Sequence, residues 1–395
     1  MNDKNIAIIG GGWYGCHIAL FLKKHNYDIT IYEKEDELFK GVSGNYGIRL
    51  HIGPHYPRSS ITRRECLDGF YKFLNEYPEL IINHESSFYG LGYKDVDNIE
   101  SRIDSLTFRQ VCEECPGFKN INIKDTDFDN LQNIYNVLEP SLKMEIIGKY
   151  FRNKIKNENI KLFLNYKVNE INNYVINNIK YDYIINCTYF KDFLPKQIPL
   201  NINIYYQSCL TLYYKDTEIN NKPFSFTVMD GWYPCIMPYE NTWKTPKNRI
   251  YVLYHAKYTI LGTYKTIYEA NNTIEKLNDE IINNNIKPLF EKDILKYYPK
   301  FKKRFEYIGY NTAIATKIKS QTEFRSTIVF SDNNMIHVFS GKINNIFNAA
   351  EKVLDIVKYK KIEDFKEIQN EINKNYLTSI LNTTCDLQTF EDLNI

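Results

Sequence analysis

What the chain lacks narrows its role first. No apolar run approaches the 18 or so residues that a bilayer-crossing helix needs, so no membrane span is expected. Eight cysteines lie scattered through 395 residues and set no disulfide framework. Cys112 and Cys115 make a lone CxxC with no second pair, and the seven histidines show no HExxH-like spacing, so no metal site is expected. Charge of one sign is also missing. Fifty Lys and Arg stand against 48 Asp and Glu, with no basic tail, which argues against nucleic acid as a partner. No leader pattern precedes "MNDKN", so the expected setting is cytoplasmic, with reduced thiols. Glycine is scarce, at 17 residues, yet Gly10, Gly11, Gly12 and Gly15 fall within one short stretch.

That stretch is the most informative in the chain. Residues 5–10 read as a buried strand, about Gly12 to His25 as a helix, and "DITIYEK" as a second strand with Glu33 at its end. Gly10, Gly12 and Gly15 form GxGxxG: one glycine for a tight turn, one for close approach of phosphate, one for helix–strand packing. The helix start offers unpaired N–H groups to a pyrophosphate. Glu33 lies 23 residues after Gly10, a spacing suited to accepting ribose hydroxyls, and an acid there disfavours a 2′-phosphate. The unit predicts dinucleotide binding without choosing between NAD and FAD. No second GxGxxG occurs, which disfavours separate Rossmann domains for FAD and NAD(P)H.

The length suggests two or three domain-sized units, and 43% hydrophobic residues provide for real cores. Aromatics reach 15%, including 33 Tyr, most of them expected in core and surface. "VLEPSLKMEIIGKYFRNKIKN" reads as a helix with Leu142, Ile146, Ile147 and Phe151 on its apolar face. Short strands are expected at 160–165, 167–172, 174–176 and 182–187, completing a parallel sheet with a small antiparallel insertion. Residues 200–300 alternate like antiparallel strands, with "MDGW" as a hairpin turn, and a helix carrying Ile274, Leu277 and Ile281 is expected to buttress them.

In this order the segments resemble the FAD-dependent oxidoreductases of the D-amino-acid oxidase type, nearest in flavour to the L-2-hydroxyglutarate dehydrogenase branch. The likeness rests on "GVSGNYGIRLHIGPHY" (Ser43, Asn45, Gly47, His51, Gly53, Tyr56), "EPSLKM", "YKVNEI" and "MIHVFSGKINNIFNAAEKVLDIV". It implies an α/β fold: a Rossmann-like FAD-binding domain, discontinuous in sequence, plus an α+β substrate domain with a mainly antiparallel sheet. The implied division is FAD-binding parts at 1–95 and 139–200, a helical junction at 96–138, the substrate domain at 201–310, a return at 311–365 and a helical tail at 366–395. FAD contacts are expected from Gly10, Gly12, Trp13, Tyr14, Gly15, Glu33, Lys34, Ser43, Asn45, Gly47, His51, Val168, Thr188, Gly341, Lys342 and Asn344. One position departs from the family: Tyr189 stands where a glycine usually follows "NCT".

A flavin carries the hard chemistry, so the protein must position a substrate and manage protons. His51 and His55 are the candidate proton acceptors, each with a backbone-bonded structural role as the plain alternative. Tyr254 is a candidate pocket residue, as are Tyr239 and His255. The family resemblance offers Arg325 as a partner for a substrate carboxylate, a role its planar guanidinium suits. The leading expectation is hydride transfer from a CH–OH or CH–NH centre of a small polar, carboxylate-bearing substrate to FAD, with oxygen, a quinone or a protein as acceptor. The alternatives are a flavin monooxygenase reduced by NAD(P)H, and a non-catalytic flavin-binding protein.

Overall fold

The apolar strand Asn5–Ile9 lies in the middle of a six-stranded sheet in this computed structural model, which describes residues 4–46, 48–82, 86–218, 222–239, 249–361 and 363–374. Its neighbours are Asp28–Tyr32 and Tyr183–Asn186, both parallel to it. Lys161–Phe163 and Met335–Phe339 extend the parallel set on either side, and Ile328–Asp332 closes one edge antiparallel. Ile6, Ala7 and Ile8 are fully buried, as a strand covered on both faces requires. Helices Trp13–Lys24, Ile147–Asn157 and Ile346–Tyr359 share one core with the sheet. The hairpin Val175–Ile176/Ile179–Lys180 is the expected antiparallel insertion and packs with Val168 and Tyr181.

The second sheet has nine strands and is antiparallel except where Phe224–Met229 runs parallel to Ser86–Gly92. Its longest pairing joins Ile204–Asp216 to Phe305–Ile318. Helix Lys287–Tyr297 buries Phe290, Ile294 and Tyr297 against the outer face. The fold class is therefore the expected one. Ser86–Gly92 and Leu131–Val137 both pair in this second sheet, although the expected division put the first at 1–95 and the second in a helical junction. Between them only Ser105–Glu113 is an α-helix.

Four local expectations are corrected. Residues 137–146 are not α-helical: Leu142 pairs with Ile81 and Ser141 with Ile82, and the α-helix begins at Ile147 after a short 3-10 turn, Met144–Ile146. Pro140 disfavours the helical conformation in the residue before it and breaks the hydrogen-bond ladder. Residues 167–172 form no strand, only a bridge from Asn172 to Val175. The long buttressing helix is broken at Lys276–Asn278, where Asn278 caps a new helical start by accepting from Ile281 N. "MDGW" lies within a wider connection, since the last pair of that hairpin is Thr227 with Cys235. The tail helix is Lys366–Asn373, and the remainder of that expectation lies outside the described residues.

Two histidines are locked neutral in the core. His17 donates or accepts at Tyr77 Oη (2.6 Å), and burial pushes its pKa down to about 3. His337, in the strand Met335–Phe339, is lowered by burial to about 4. Both are nearly inaccessible to solvent. An unfolded histidine binds a proton below about pH 6.5, so these two contribute stability that is present above that pH and lost as pH falls. Each is expected to remove about 1.4 kcal/mol between pH 7.5 and 5.5. Urea midpoints at the two pH values, for the wild type and His337→Asn, check this: the variant should lose less on acidification.

Candidate active site

The glycine turn builds one end of the site. Gly10 has φ +107°, and a Cβ there would sit 2.6 Å from Cys187 O. At Gly15 a Cβ would fall 1.9 Å from Gly10 O, so the helix Trp13–Lys24 packs directly on the turn. Its first turn holds no acidic residue and Gly12 supplies no side-chain cap; Ser43 Oγ accepts from Trp13 N (3.3 Å) at the helix start. Glu33 reaches back from the second strand and accepts from Gly11 N (2.6 Å) and Glu35 N (3.0 Å). A cavity of about 270 Å³ runs along these groups, past Lys34, Ser43, Val168, Thr188 and Lys191, to Gly341 and Lys342.

A second cavity, of about 240 Å³, lies over the inner side of the antiparallel sheet. Tyr46, Arg49, His51, Lys317, Arg325 and Lys342 line both. Arg49 is held from several strands at once. Its Nε lies 3.1 Å from Glu139 Oε1, Nη1 donates to Tyr89 Oη (2.8 Å), and Nη2 donates to Cys235 Sγ. Tyr89 Oη in turn donates to Glu139 Oε1 (2.6 Å), and Glu139 Oε2 accepts from Ile52 N (3.0 Å). His51 Nδ1 stands 3.6 Å from Glu139 Oε1, and the His51 and His55 rings stack at 5.0 Å. Tyr254 meets Tyr46 edge-on at 5.5 Å.

Burial sets the proton states. His51 is held well below the usual histidine range by desolvation, with Lys342 and Arg49 adding to the effect. His55 follows for the same first reason, then His51 and Arg49. Lys342, 5.0 Å over the Tyr56 ring, is lowered by desolvation and then by the neighbouring charges of Lys317 and Arg325. Neutral histidines beside fixed cations can accept a proton and steady developing negative charge.

Most of the residues expected from sequence converge here. Gly10, Gly12, Trp13, Tyr14, Glu33, Lys34, Ser43, His51, Val168, Thr188, Gly341 and Lys342 line the first cavity; His51, His55, Arg325 and Tyr254 line the second. Others do different work. Gly15 lies beneath the turn. Asn344 donates to His51 O (2.5 Å) and Cys66 O (2.9 Å), so it fixes the His51 backbone rather than facing a ligand. Asn45 donates to Lys40 O and Gly41 O and accepts from Asn311. Gly47 lies outside the described residues. Arg325 is engaged by Glu323 and donates to Phe324 O (2.9 Å). His255 lines the second cavity while tied to Asp293 (2.9 Å), and Tyr239 packs on Tyr213. Tyr189 has φ +62°, the left-handed conformation that a glycine takes freely and a tyrosine adopts at a cost of about 1–2 kcal/mol. Tyr189 lines the first cavity.

Sequence reading missed the network of Tyr89, Glu139 and Cys235 around Arg49. Among the described residues no cluster of three potential metal ligands forms, and no helix is long and apolar enough to cross a membrane.

Comparison with known proteins adds the lineage. Residues 5–114 match the family model for FAD dependent oxidoreductases. The chain is 39% identical over 365 residues to the FAD-dependent monooxygenase kojA of Aspergillus flavus, covering 89% of this chain and 85% of the relative. It is 30% identical to the FAD-dependent monooxygenase FPY4 of Fusarium mangiferae, covering 90% and 92%. The L-2-hydroxyglutarate dehydrogenase of Indibacter alkaliphilus matches over only 74 residues, 18% of each chain, so the resemblance to that branch is not specific. In fold, the chain is similar to the L-alpha-glycerophosphate oxidase of Mycoplasma pneumoniae, with a TM-score of 0.67 at 11% identity, covering 96% and 100%.

Proposed function

The chain belongs to the FAD dependent oxidoreductases, and on that premise we propose that it is a flavin monooxygenase reduced by NAD(P)H. FAD is the cofactor of this family, and the residues present suit it. A Cβ at Gly10 or Gly12 would run into Cys187 O or Ser43 Oγ, so the turn needs both glycines; the helix dipole faces the same cavity, and Glu33 stands at its edge. Gly10–Trp13 and Ser43 would hold the pyrophosphate, Glu33 the ribose, Val168 the adenine end, and Gly341 and Lys342 the flavin end.

The observation that carries the reading is the junction of the two cavities, where Tyr46, Arg49, His51 and Lys342 face the cofactor's cavity and a substrate-sized chamber together. Bound FAD supplies two-electron transfer and oxygen activation. In the balanced reaction NAD(P)H gives a hydride and the solvent a proton, one atom of O2 enters the substrate as a hydroxyl, and the other leaves as water. Arg49, fixed by Glu139, offers positive charge where negative charge develops. His51 and His55, neutral and stacked, take up and return the proton. Tyr46, Tyr254 and Met237 wall the chamber.

The choice of monooxygenation over substrate dehydrogenation is supported by two relatives of that name along nearly the whole chain. The second reading, hydride removal from a CH–OH or CH–NH centre, is favoured by the same neutral histidines. Anaerobic mixing separates the two. NADH or NADPH should bleach the flavin of the purified holoprotein within a turnover, while amino acids and 2-hydroxy acids leave it oxidised. Bleaching by one of those acids alone, with hydrogen peroxide formed in air, would replace monooxygenation by the oxidase reading.

A further inference from the structure

The arginines around the substrate chamber decide what charge it accepts. A carboxylate is best bound by a guanidinium that presents two free parallel N–H groups. Arg49 spends Nε on Glu139, Nη1 on Tyr89 and Nη2 on Cys235. Arg58 donates from Nε to Asp230 Oδ2 (2.7 Å), from Nη2 toward Asp230 Oδ1 (3.5 Å) and from Nη1 to Gln321 O. Arg325 is held by Glu323 and by Phe324 O. The side chains of these three ion pairs are all about one-seventh exposed or less. A fourth arginine, Arg102, lies against the Trp232 ring at 4.7 Å. Lys317 and Lys342 stand at the junction and face the cofactor's cavity as well.

Three guanidinium groups are thus matched, one to one, by carboxylates of the chain itself. An incoming carboxylate would have to displace a buried internal one, stranding that charge, a replacement that low dielectric makes unfavourable. Apart from Arg102, Lys317, Lys342 and the histidines His51, His55 and His255, the rest of the lining is hydrogen-bonding or apolar without charge: Tyr46, Tyr56, Gln207, Thr227, Tyr254, Met237. We infer that the chamber takes an uncharged, hydroxyl-bearing substrate and that its three internal ion pairs select against carboxylates. This rests on the flavin-enzyme reading above and replaces the carboxylate partner expected for Arg325 from sequence.

The test uses the FAD-loaded protein and the shift of its flavin absorbance as a binding signal. Two matched pairs of probes are titrated: benzyl alcohol against benzoate, and glucose against gluconate. In each pair the neutral and anionic members have similar shape, and the two pairs separate an aromatic from a sugar-like substrate. At least one neutral probe is expected to perturb the flavin, with its anionic partner at least tenfold weaker. Glu323→Gln and Asp230→Asn, which each release one guanidinium, should narrow that gap by tenfold or more while FAD content stays at the wild-type level. Two outcomes overturn the inference: anions binding as tightly as their neutral partners in the wild type, or no neutral probe shifting the flavin at saturation. The flavin-enzyme reading fails separately, by the absence of stoichiometric FAD in the purified protein or by its inability to be reconstituted.

Discussion

Gly15→Ala is expected to abolish FAD retention and to destabilise the fold by on the order of 4 kcal/mol. The position lies in the first turn of helix Trp13–Lys24, where alanine would ordinarily gain about 1 kcal/mol over glycine. Here the added methyl would sit 1.9 Å from Gly10 O and 3.1 Å from Gly10 C. Those are backbone atoms of the turn itself and cannot rotate aside. The helix must instead retreat by an ångström or more, and the close-packed interior makes that costly because Cys16, Ile18 and Ala19 are fully buried on it. Retreat also withdraws the amide groups of the helix start from the phosphate cavity. Gly148→Ala is the control. It lies near the start of helix Ile147–Asn157, and its Cβ would meet only Leu38 O at 3.2 Å, so a change within about 1 kcal/mol and full FAD content are expected. Absorbance of the purified variants and their urea midpoints read both effects. A yellow, stable Gly15→Ala protein would show that the turn and helix are not packed as described.

The nucleotide-binding half was legible because its signals are local. Strand, turn, helix and terminal acid follow one another within 30 residues, and each is written in a period or a glycine that short-range physics enforces. The pairing of Ile6 with Ile29, and the reach of Glu33 back to Gly11, are consequences of that order. The substrate side was legible only as alternation. Arg49, Tyr89, Glu139 and Cys235 lie up to 186 positions apart, and no spacing rule connects them; only the sheet brings them together. Residues 137–146 show the opposite error. Leu142, Ile146 and Ile147 do fit a helical period, yet Pro140 and the pairing of Leu142 with Ile81 pull the first of them into a strand. That misreading hid Glu139, which the non-helical segment before Ser141 carries into the site. Arg325 had a local warning in "EFR", since its engaged carboxylate is only two residues away. Asn344 and Asn45 were placed by family likeness, which locates a segment beside a cofactor but not the direction of each amide.

Glu139→Ala is expected to cost about 3–5 kcal/mol, the usual effect of removing one member of a buried ion pair. Glu139 has a side chain 1% exposed and serves four groups: Arg49, Tyr89, the Ile52 N–H and, at 3.6 Å, His51. Truncation leaves the Arg49 guanidinium buried without a counter-charge and orphans the Ile52 amide, each a penalty of its own. Glu139→Gln keeps the shape and an acceptor oxygen, so it should lose less and still bind FAD. Its effect falls on proton chemistry. The negative charge of Glu139 raises the proton affinity of His55 against the dominant lowering by burial. Removing that charge lowers the pKa of His55 further. If the neutral histidine is the base, the acid limb of the pH–rate profile moves to lower pH in Glu139→Gln, because the base then stays unprotonated at more acidic pH. A purely structural glutamate would reduce stability in both variants and leave the acid limb where it was. Urea midpoints, together with pH profiles of NAD(P)H oxidation at saturating substrate, separate the two roles. An alanine variant within about 1 kcal/mol of wild type would mean that Arg49 finds its counter-charge elsewhere.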